Sequence, residues 1–237
     1  MAQMYGKQSS YLYRSMFRYG LYSLIWGLIG AILLLIFALL FRNLFTFGGI
    51  FVLLIFGAPL AWWIKMKYKR HDTTSENFYR GKEGECIIGD ELNKLPNDFL
   101  VFQDIKMEKG GNIDFVVLGL TGLFTIEVKS HHGQIGFNGQ ELTLNSQPFP
   151  EKDVLKQAMR EAFDLHNYIK IKLHKDIFVH PVLVFSNYVK INFGQKPVNK
   201  VYVVQKSYLL DLIKNRPHEL SSQVISEIDS VLKKLVS

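Results

Sequence analysis

Two long uncharged runs near the N-terminus constrain this chain more than any other feature. Tyr19 to Phe41 is 23 residues without a charge, and Asn43 to Ile64 is 22 more. Arg42-Asn43 is the polar break between them. A helix needs about 20 mainly apolar residues to cross ~30 Å of hydrocarbon, so each run is long enough to span once and the break suits a tight hairpin. Neither run has a polar face, which argues against a buried helical hairpin of a soluble protein. A cleaved signal peptide fits poorly, because the first run is too long and a second follows it. Tyr19 and Tyr22 open the first run, and Trp62 and Trp63 close the second. In a hairpin both pairs fall at one membrane interface, where amphipathic rings are enriched.

The flanks orient the hairpin. Lys7, Arg14 and Arg18 precede the first run; Lys65, Lys67, Lys69 and Arg70 follow the second; the turn holds Arg42 alone. The positive-inside rule then places both termini in the cytoplasm. The expected organisation is a cytoplasmic segment over 1–18, two transmembrane helices over 19–64, a basic and polar linker over 65–77, and a cytoplasmic domain over 78–237. The expected location is the cell membrane, with the lipid bilayer as a partner.

Net charge needs the same division. The chain has 28 Lys and Arg against 21 Asp and Glu, a balance of +7. Eight of the basic residues lie before residue 71 and no acid does, leaving 20 basic against 21 acidic residues afterwards. The positive balance thus suits a membrane surface, not a globally basic nucleic-acid-binding domain. Any nucleic-acid site beyond residue 71 must be local. The single cysteine, Cys86, excludes an intramolecular disulfide, fits a reducing compartment, and is expected to be a buried structural residue.

After the polar stretch His71 to Asn77, Phe78 to Leu95 reads as a helix with Ile88, Leu92 and Leu95 in one stripe, ended by Pro96-Asn97-Asp98. Phe99 to Ile105, Ile113 to Leu118 and Leu123 to Lys129 read as three strands of a meander. Asn138-Gly139 centres a small hairpin of 133–137 with 141–144. Val154 to Ile171 is a second helix, with Leu155, Ala158, Ala162, Leu165 and Ile169 on one side. Strands over 177–185 and 201–204 and helices over 208–214 and 224–235 complete the chain. This order indicates an α/β fold with a mixed sheet flanked by helices on both sides.

Chemistry concentrates in the meander. Asp114 interrupts an apolar strand, and Glu127 and Lys129 share one face of the next. The turn between those strands is centred between Leu120 and Thr121. A symmetric hairpin about that centre sets Leu118 opposite Leu123 and Asp114 opposite Glu127. Directly paired residues point to the same side with Cβ atoms about 4.5–5.5 Å apart, so the two carboxylates are expected to converge. Like charges so placed repel unless one takes a proton or a cation intervenes. Hard oxygen ligands with room for water suit Mg²⁺ or Mn²⁺, and Lys129 is placed to orient water or stabilise negative charge. Glu85 lies in line with the stripe of the first helix and is expected to point to the sheet; Gly81 and Gly84 would let that helix approach closely. His131 and His132 read as a polar turn, His180 as a surface or satisfied core position, and Lys152, Lys156 and Arg160 as a solvated helix edge.

Gly84-Glu85, then Gly111-Asn112-Ile113-Asp114, then Gly122-Leu123-Phe124-Thr125-Ile126-Glu127-Val128-Lys129 with Gly133 beyond, resembles the NERD (nuclease-related) domain. That domain is similar to the PD-(D/E)xK restriction-endonuclease-like superfamily. The resemblance covers roughly residues 78–190. It implies that Asp114 and Glu127 bind a metal with the Val128 carbonyl, that Lys129 is the catalytic lysine, that Glu85 supports metal or water, and that Gln157 acts near the site. Ile113 stands where the superfamily name has proline, and Glu161 where some relatives have tyrosine. The expected function is a membrane-anchored, cytoplasmic, Mg²⁺- or Mn²⁺-dependent nuclease acting on nucleic acid, DNA ahead of RNA. The alternative is a non-catalytic module on the same fold that binds nucleic acid or protein at the membrane.

Overall fold

The computed structural model describes residues 1–6, 25, 28–30, 32, 78–107, 111–151, 153–194 and 196–236. The chain forms two compact units, one of Met1–Gln8 with Arg80–Ser237 and one of Ser9–Tyr79. In the second unit residues 25, 28–30 and 32 are helical, and the side chains of Ile25, Leu28, Ile29 and Ile32 are exposed. The hairpin expected over 19–64 otherwise lies outside the described residues. Among the described residues no helix is long and apolar enough to cross a membrane.

The first unit is built on a mixed sheet. Its strands are β1 (Gln3–Tyr5), β2 (Leu100–Lys106), β3 (Asn112–Gly119), β4 (Gly122–Lys129), β8 (Val179–Phe185) and β10 (Tyr202–Gln205), side by side in that order. The β2-β3-β4 meander is antiparallel, β8 joins β4 in parallel, and β10 joins β8 in parallel. A smaller sheet holds β5 (Gly133–Phe137), β6 (Leu142–Leu144), β7 (Gln147–Pro148) and β9 (Val189–Ile191), in the order β7-β6-β5-β9. The hairpin at Asn138-Gly139 forms as expected: β5 and β6 pair antiparallel. Strand β1 has no counterpart in the sequence reading. It pairs in parallel with β2, Gln3 opposite Leu100 and Tyr5 opposite Phe102, and the Tyr5 and Phe102 rings stack at 5.1 Å.

Helices cover both faces because both faces are apolar, as strands buried on two sides require. On one face α1 (residues 78–92) brings Ile88 and Leu92, and α3 (Lys206–Lys214) brings Leu209 and Ile213, onto Phe115, Val117, Phe124 and Ile126. On the other, α2 (Val154–Leu173) and α4 (Ser222–Leu232) bring Leu165, Ile169, Ile228 and Leu232 onto Val116, Leu118 and Leu123. The first half of α2 also packs Val154, Leu155 and Ala158 against Ile135 and Leu142 of the small sheet. The result is a helix–sheet–helix sandwich, in keeping with the mixed sheet flanked by helices read from the sequence.

The close approach of α1 rests on one glycine, not two. A Cβ on Gly84 would lie 2.8 Å from the Ser186 hydroxyl and 3.3 Å from the Ser130 Cβ, whereas one on Gly81 would meet nothing within 4 Å. The expectation that Gly81 shares this role is corrected: it faces open space. Gly84→Val is expected to lower stability by roughly 1–3 kcal/mol by pushing α1 from the strand ends. Gly81→Ala is expected to be neutral or to add up to about 1 kcal/mol of helix propensity. Urea unfolding of both variants checks this.

Candidate active site at the strand ends

The parallel strands β4 and β8 end at the same edge of the sheet, beside the start of β3. In open α/β sheets this carboxyl-end crevice is where ligands bind. Three elements deliver polar and charged side chains there: Asp114 from β3, Glu127 and Lys129 from β4, and Gln157 and Glu161 from α2. Glu85 comes from α1.

The hairpin register is the one the turn dictates. Gly119 stands opposite Gly122, Leu118 opposite Leu123, and Phe115 opposite Ile126. The next pair would be Asp114 with Glu127, but the backbone ladder stops before it. There the Asp114 carboxylate replaces the ladder: its Oδ2 accepts the Val128 backbone N–H at 2.9 Å. The neighbouring strand is also irregular at this level, since Asp104 has a left-handed φ of 55° and its Oδ1 accepts from Asn112 at 2.8 Å. Burial pushes the Asp114 carboxyl well above the usual carboxylate range; Glu127 and Glu85 add to this, and the Val128 N–H and Lys129 oppose it. The two acids therefore face the electrostatic conflict expected of them.

Glu127 is the hub. It is only 4% exposed. Its Oε1 accepts from Lys129 Nζ at 2.8 Å and from Gln157 Nε2 at 2.8 Å. Gln157 thus reaches the site from α2 and fixes the orientation of the Glu127 carboxylate. The same amide donates to Glu161 Oε1 at 3.0 Å. Lys129 is clamped on its other side by Glu151, at 2.5 Å. Burial works against the Lys129 charge, but Glu127 and Glu151 outweigh it and push its pKa up to about 12. At neutral pH it is a fixed ammonium and not a base. Glu85 is partly buried as its stripe position implies, but its Oε2 is held by Lys82 at 2.6 Å. Burial raises the Glu85 pKa in spite of Lys82.

Three features of the site escaped the sequence reading. Glu161 is 5% exposed and lies on the buried side of α2. Burial first, and Glu127 next, push its pKa up to about 9, with a hydrogen bond between the two carboxyls contributing. Its position, three residues after Ala158 and four before Leu165, was the available signal, because it falls on the apolar stripe. Glu151 sits in the loop before α2, where no periodicity marks it. His131 approaches Glu151 at 3.8 Å, packs on Phe149 with ring centroids 4.8 Å apart, and has its pKa lowered by burial. It is therefore part of the site's edge and not simply a polar turn. Elsewhere, His180 is a satisfied core residue, 4% exposed and bonded to Glu219 at 2.7 Å. Lys156 is an exposed helix-edge residue paired with Asp153 at 2.7 Å. Cys86 is partly, not fully, buried.

The donor set fits a hard divalent cation. It consists of carboxylates, of which Glu127 is 4% exposed, and Mg²⁺ commonly takes one or two carboxylates. The buried Oε2 atoms of Glu127 and Glu161 receive no hydrogen bond from any N–H or hydroxyl. Such atoms cost free energy unless a hydrogen bond or a cation reaches them, and the proton that Glu161 keeps beside Glu127 supplies the first. Among the described residues no group of three or more His, Cys, Asp or Glu side chains is gathered so as to cage a metal unaided.

Fold and site together define a mixed α/β domain with two acids and a lysine at its strand ends. Residues 80–186 match the family model NERD, described as the nuclease-related domain. The match runs from α1 to the end of β8, within the region the resemblance covers, and it spans the six site residues read from the sequence, Glu85, Asp114, Glu127, Val128, Lys129 and Gln157. No curated protein and no solved structure matches the chain.

The Glu161 shift has a sign that thermal melts can read. The folded protein holds this proton up to about pH 9, while the unfolded chain loses it near the ordinary value of 4.5. Stability is therefore lost as pH rises through that window and levels off above it. In chelator-treated buffer, Glu161→Gln is expected to match the parent near the lower limit of the window. It is expected to be more stable by roughly 1–3 kcal/mol near the upper limit.

Proposed function

We propose that this chain is a divalent-cation-dependent nuclease that hydrolyses phosphodiester bonds of nucleic acid, DNA ahead of RNA, and is held at the cytoplasmic face of the cell membrane by two spans. The observation that carries the catalytic reading is the meeting of Asp114, Glu127 and Lys129 at the strand ends of a nuclease-related domain.

The residues divide the work by charge. Asp114, Glu127 and the Val128 carbonyl would hold Mg²⁺ or Mn²⁺, which supplies Lewis-acid stabilisation of charge growing on phosphate oxygens. Lys129 stays protonated, so it offers a hydrogen bond and a positive charge to a phosphate oxygen or to the attacking water. To do so its ammonium must exchange Glu151 for substrate, and the greater exposure of Glu151, 44% against 11% for Lys129, makes that the bond to give up. Gln157 keeps the Glu127 carboxylate aimed during the exchange. Glu85 adds negative charge at the outer edge and orients water there.

Two observations support the membrane tether. The runs 19–41 and 43–64 are long and uncharged, and the described side chains within the first are exposed and apolar. Strand β1 and strand β2 belong to one sheet, so residues 3–5 and everything from 80 onward lie on the same side of any bilayer. A segment between them can then cross only an even number of times, which agrees with a hairpin.

A second reading has an observation of its own. Lys129 is occupied by two carboxylates, and the acids are not drawn into a cage. This favours a non-catalytic module that binds nucleic acid or protein on the same fold. The full chain separates the two. Catalysis predicts Mg²⁺- or Mn²⁺-dependent cleavage of DNA or RNA that a chelator abolishes and that Asp114→Asn and Lys129→Met each reduce by about 100-fold or more. Binding of nucleic acid or protein without cleavage under any of these conditions selects the module. For topology, reporters fused to either terminus are expected to read as cytoplasmic; opposite readings at the two ends would overturn the hairpin.

A further inference from the structure

The chain leaves the strand-end site along two extended segments that stay side by side. Lys129 closes β4 opposite Phe185, and the same offset pairs Gly133 with Val189 where the small sheet begins. Between these points the Ser186 N–H donates to the Lys129 carbonyl at 2.9 Å, and Asn187 Nδ2 donates to the Ser130 carbonyl at 2.8 Å. That register sets Tyr188 beside His132, three residues past Lys129 and about 10 Å along the strand direction. Val189 is buried, whereas Tyr188, Lys190, His132 and Gln134 around it are exposed. Successive side chains of a strand alternate, so these four share the outer side of β5 and β9.

A single exposed tyrosine carries little meaning by itself. Tyr188 differs in its mount and its neighbours. It is 82% exposed, on backbone held by Asn187 before it and buried Val189 after it. Among the described residues no ring packs on it and no group bonds its hydroxyl, and Lys190 has no carboxylate partner. None of the four strands of the small sheet contains Asp or Glu, although acids slightly outnumber bases beyond residue 70. An open ring beside an unpaired ammonium suits a base and a neighbouring phosphate. Inside a duplex both faces of each base are already stacked, so only an unpaired or terminal base can take the ring.

We infer that Tyr188 stacks a nucleobase and Lys190 takes an adjacent phosphate, seating an unpaired strand of nucleic acid that runs on to Lys129. This rests on the reading that the domain acts on nucleic acid, and it names the substrate class as single-stranded. Tyr188 lies just past the residues that match the nuclease-related model, so the family match does not account for it.

The test is fluorescence anisotropy of labelled oligonucleotides with the full chain, in chelator-treated buffer so that none is cut. The parent is expected to bind a single strand, as DNA or RNA, more tightly than the matching duplex. Tyr188→Ala is expected to weaken single-strand binding by about tenfold and to leave duplex binding unchanged. Tyr188→Phe keeps the ring and is expected to match the parent. Lys190→Gln is expected to flatten the slope of log affinity against log salt by about 0.7. A 2-aminopurine in the strand is expected to lose fluorescence on binding the parent and to keep it with Tyr188→Ala. Equal melting temperatures show that the variants fold. If Tyr188→Ala binds the single strand as the parent does, or the parent prefers the duplex, this inference is overturned, and Mg²⁺-dependent cleavage by the parent then leaves the nuclease reading intact. A parent that neither binds nor cleaves any nucleic acid overturns both.

Discussion

The turn between β3 and β4 sets the geometry on which the site depends. Gly119 opposite Gly122 closes a hairpin whose register carries without slippage to Phe115 opposite Ile126. A slip by one residue would send every side chain to the other face, and Asp114 would lose its place beside Glu127. Where the backbone ladder ends, the Asp114 carboxylate takes over the Val128 N–H. A functional group is thereby fixed by the same kind of bond that holds the sheet together. The parallel alignment of β8 with β4, from Leu123 with Val179 to Lys129 with Phe185, then holds the end of β4 rigid.

Around this frame the charges form a chain: Glu161 and Glu127 joined by Gln157, Glu127 and Glu151 joined by Lys129, and His131 at the outer end. Acids outnumber bases within it. Burial has raised the proton affinity of Asp114, Glu85 and Glu161, so the site without a cation is held together partly by protons. Clusters of perturbed groups in a crevice mark functional sites more often than structural ones. Stability given up here is recovered in the apolar layers on both sheet faces, where Ile88, Leu92, Leu165 and Ile228 are fully buried.

Much of this was legible in the residues because it is local. The register of β3 with β4, up to Phe115 opposite Ile126, follows from a short turn. The burial of Glu85 follows from its spacing to Ile88, and the two-sided sheet from strands apolar throughout. What was not legible depends on contacts far apart in the chain. Gln157 came from family resemblance alone, since nothing in its helix distinguishes an inward amide from a surface one. Glu151 acts through a loop conformation that no pattern encodes. Gly81 and Gly84 look equivalent in sequence, and only the position of Ser186 at the end of β8 tells them apart. The left-handed backbone at Asp104 and the pairing of β9 with β5 are likewise set by tertiary contacts.

Strand β1 bears on how the domain can be handled. It supplies the outer strand of the main sheet, and its Tyr5 ring covers Phe102 while Lys233 sits over that ring at 4.6 Å. A fragment trimmed to begin after the hydrophobic segment would leave the edge of β2 bare, and bare edges recruit foreign strands and aggregate. Insolubility of such a truncation would report a missing strand and not a domain unable to fold. A short synthetic copy of the first residues, added in trans, is the natural remedy, since extended peptides dock onto open sheet edges by main-chain hydrogen bonding.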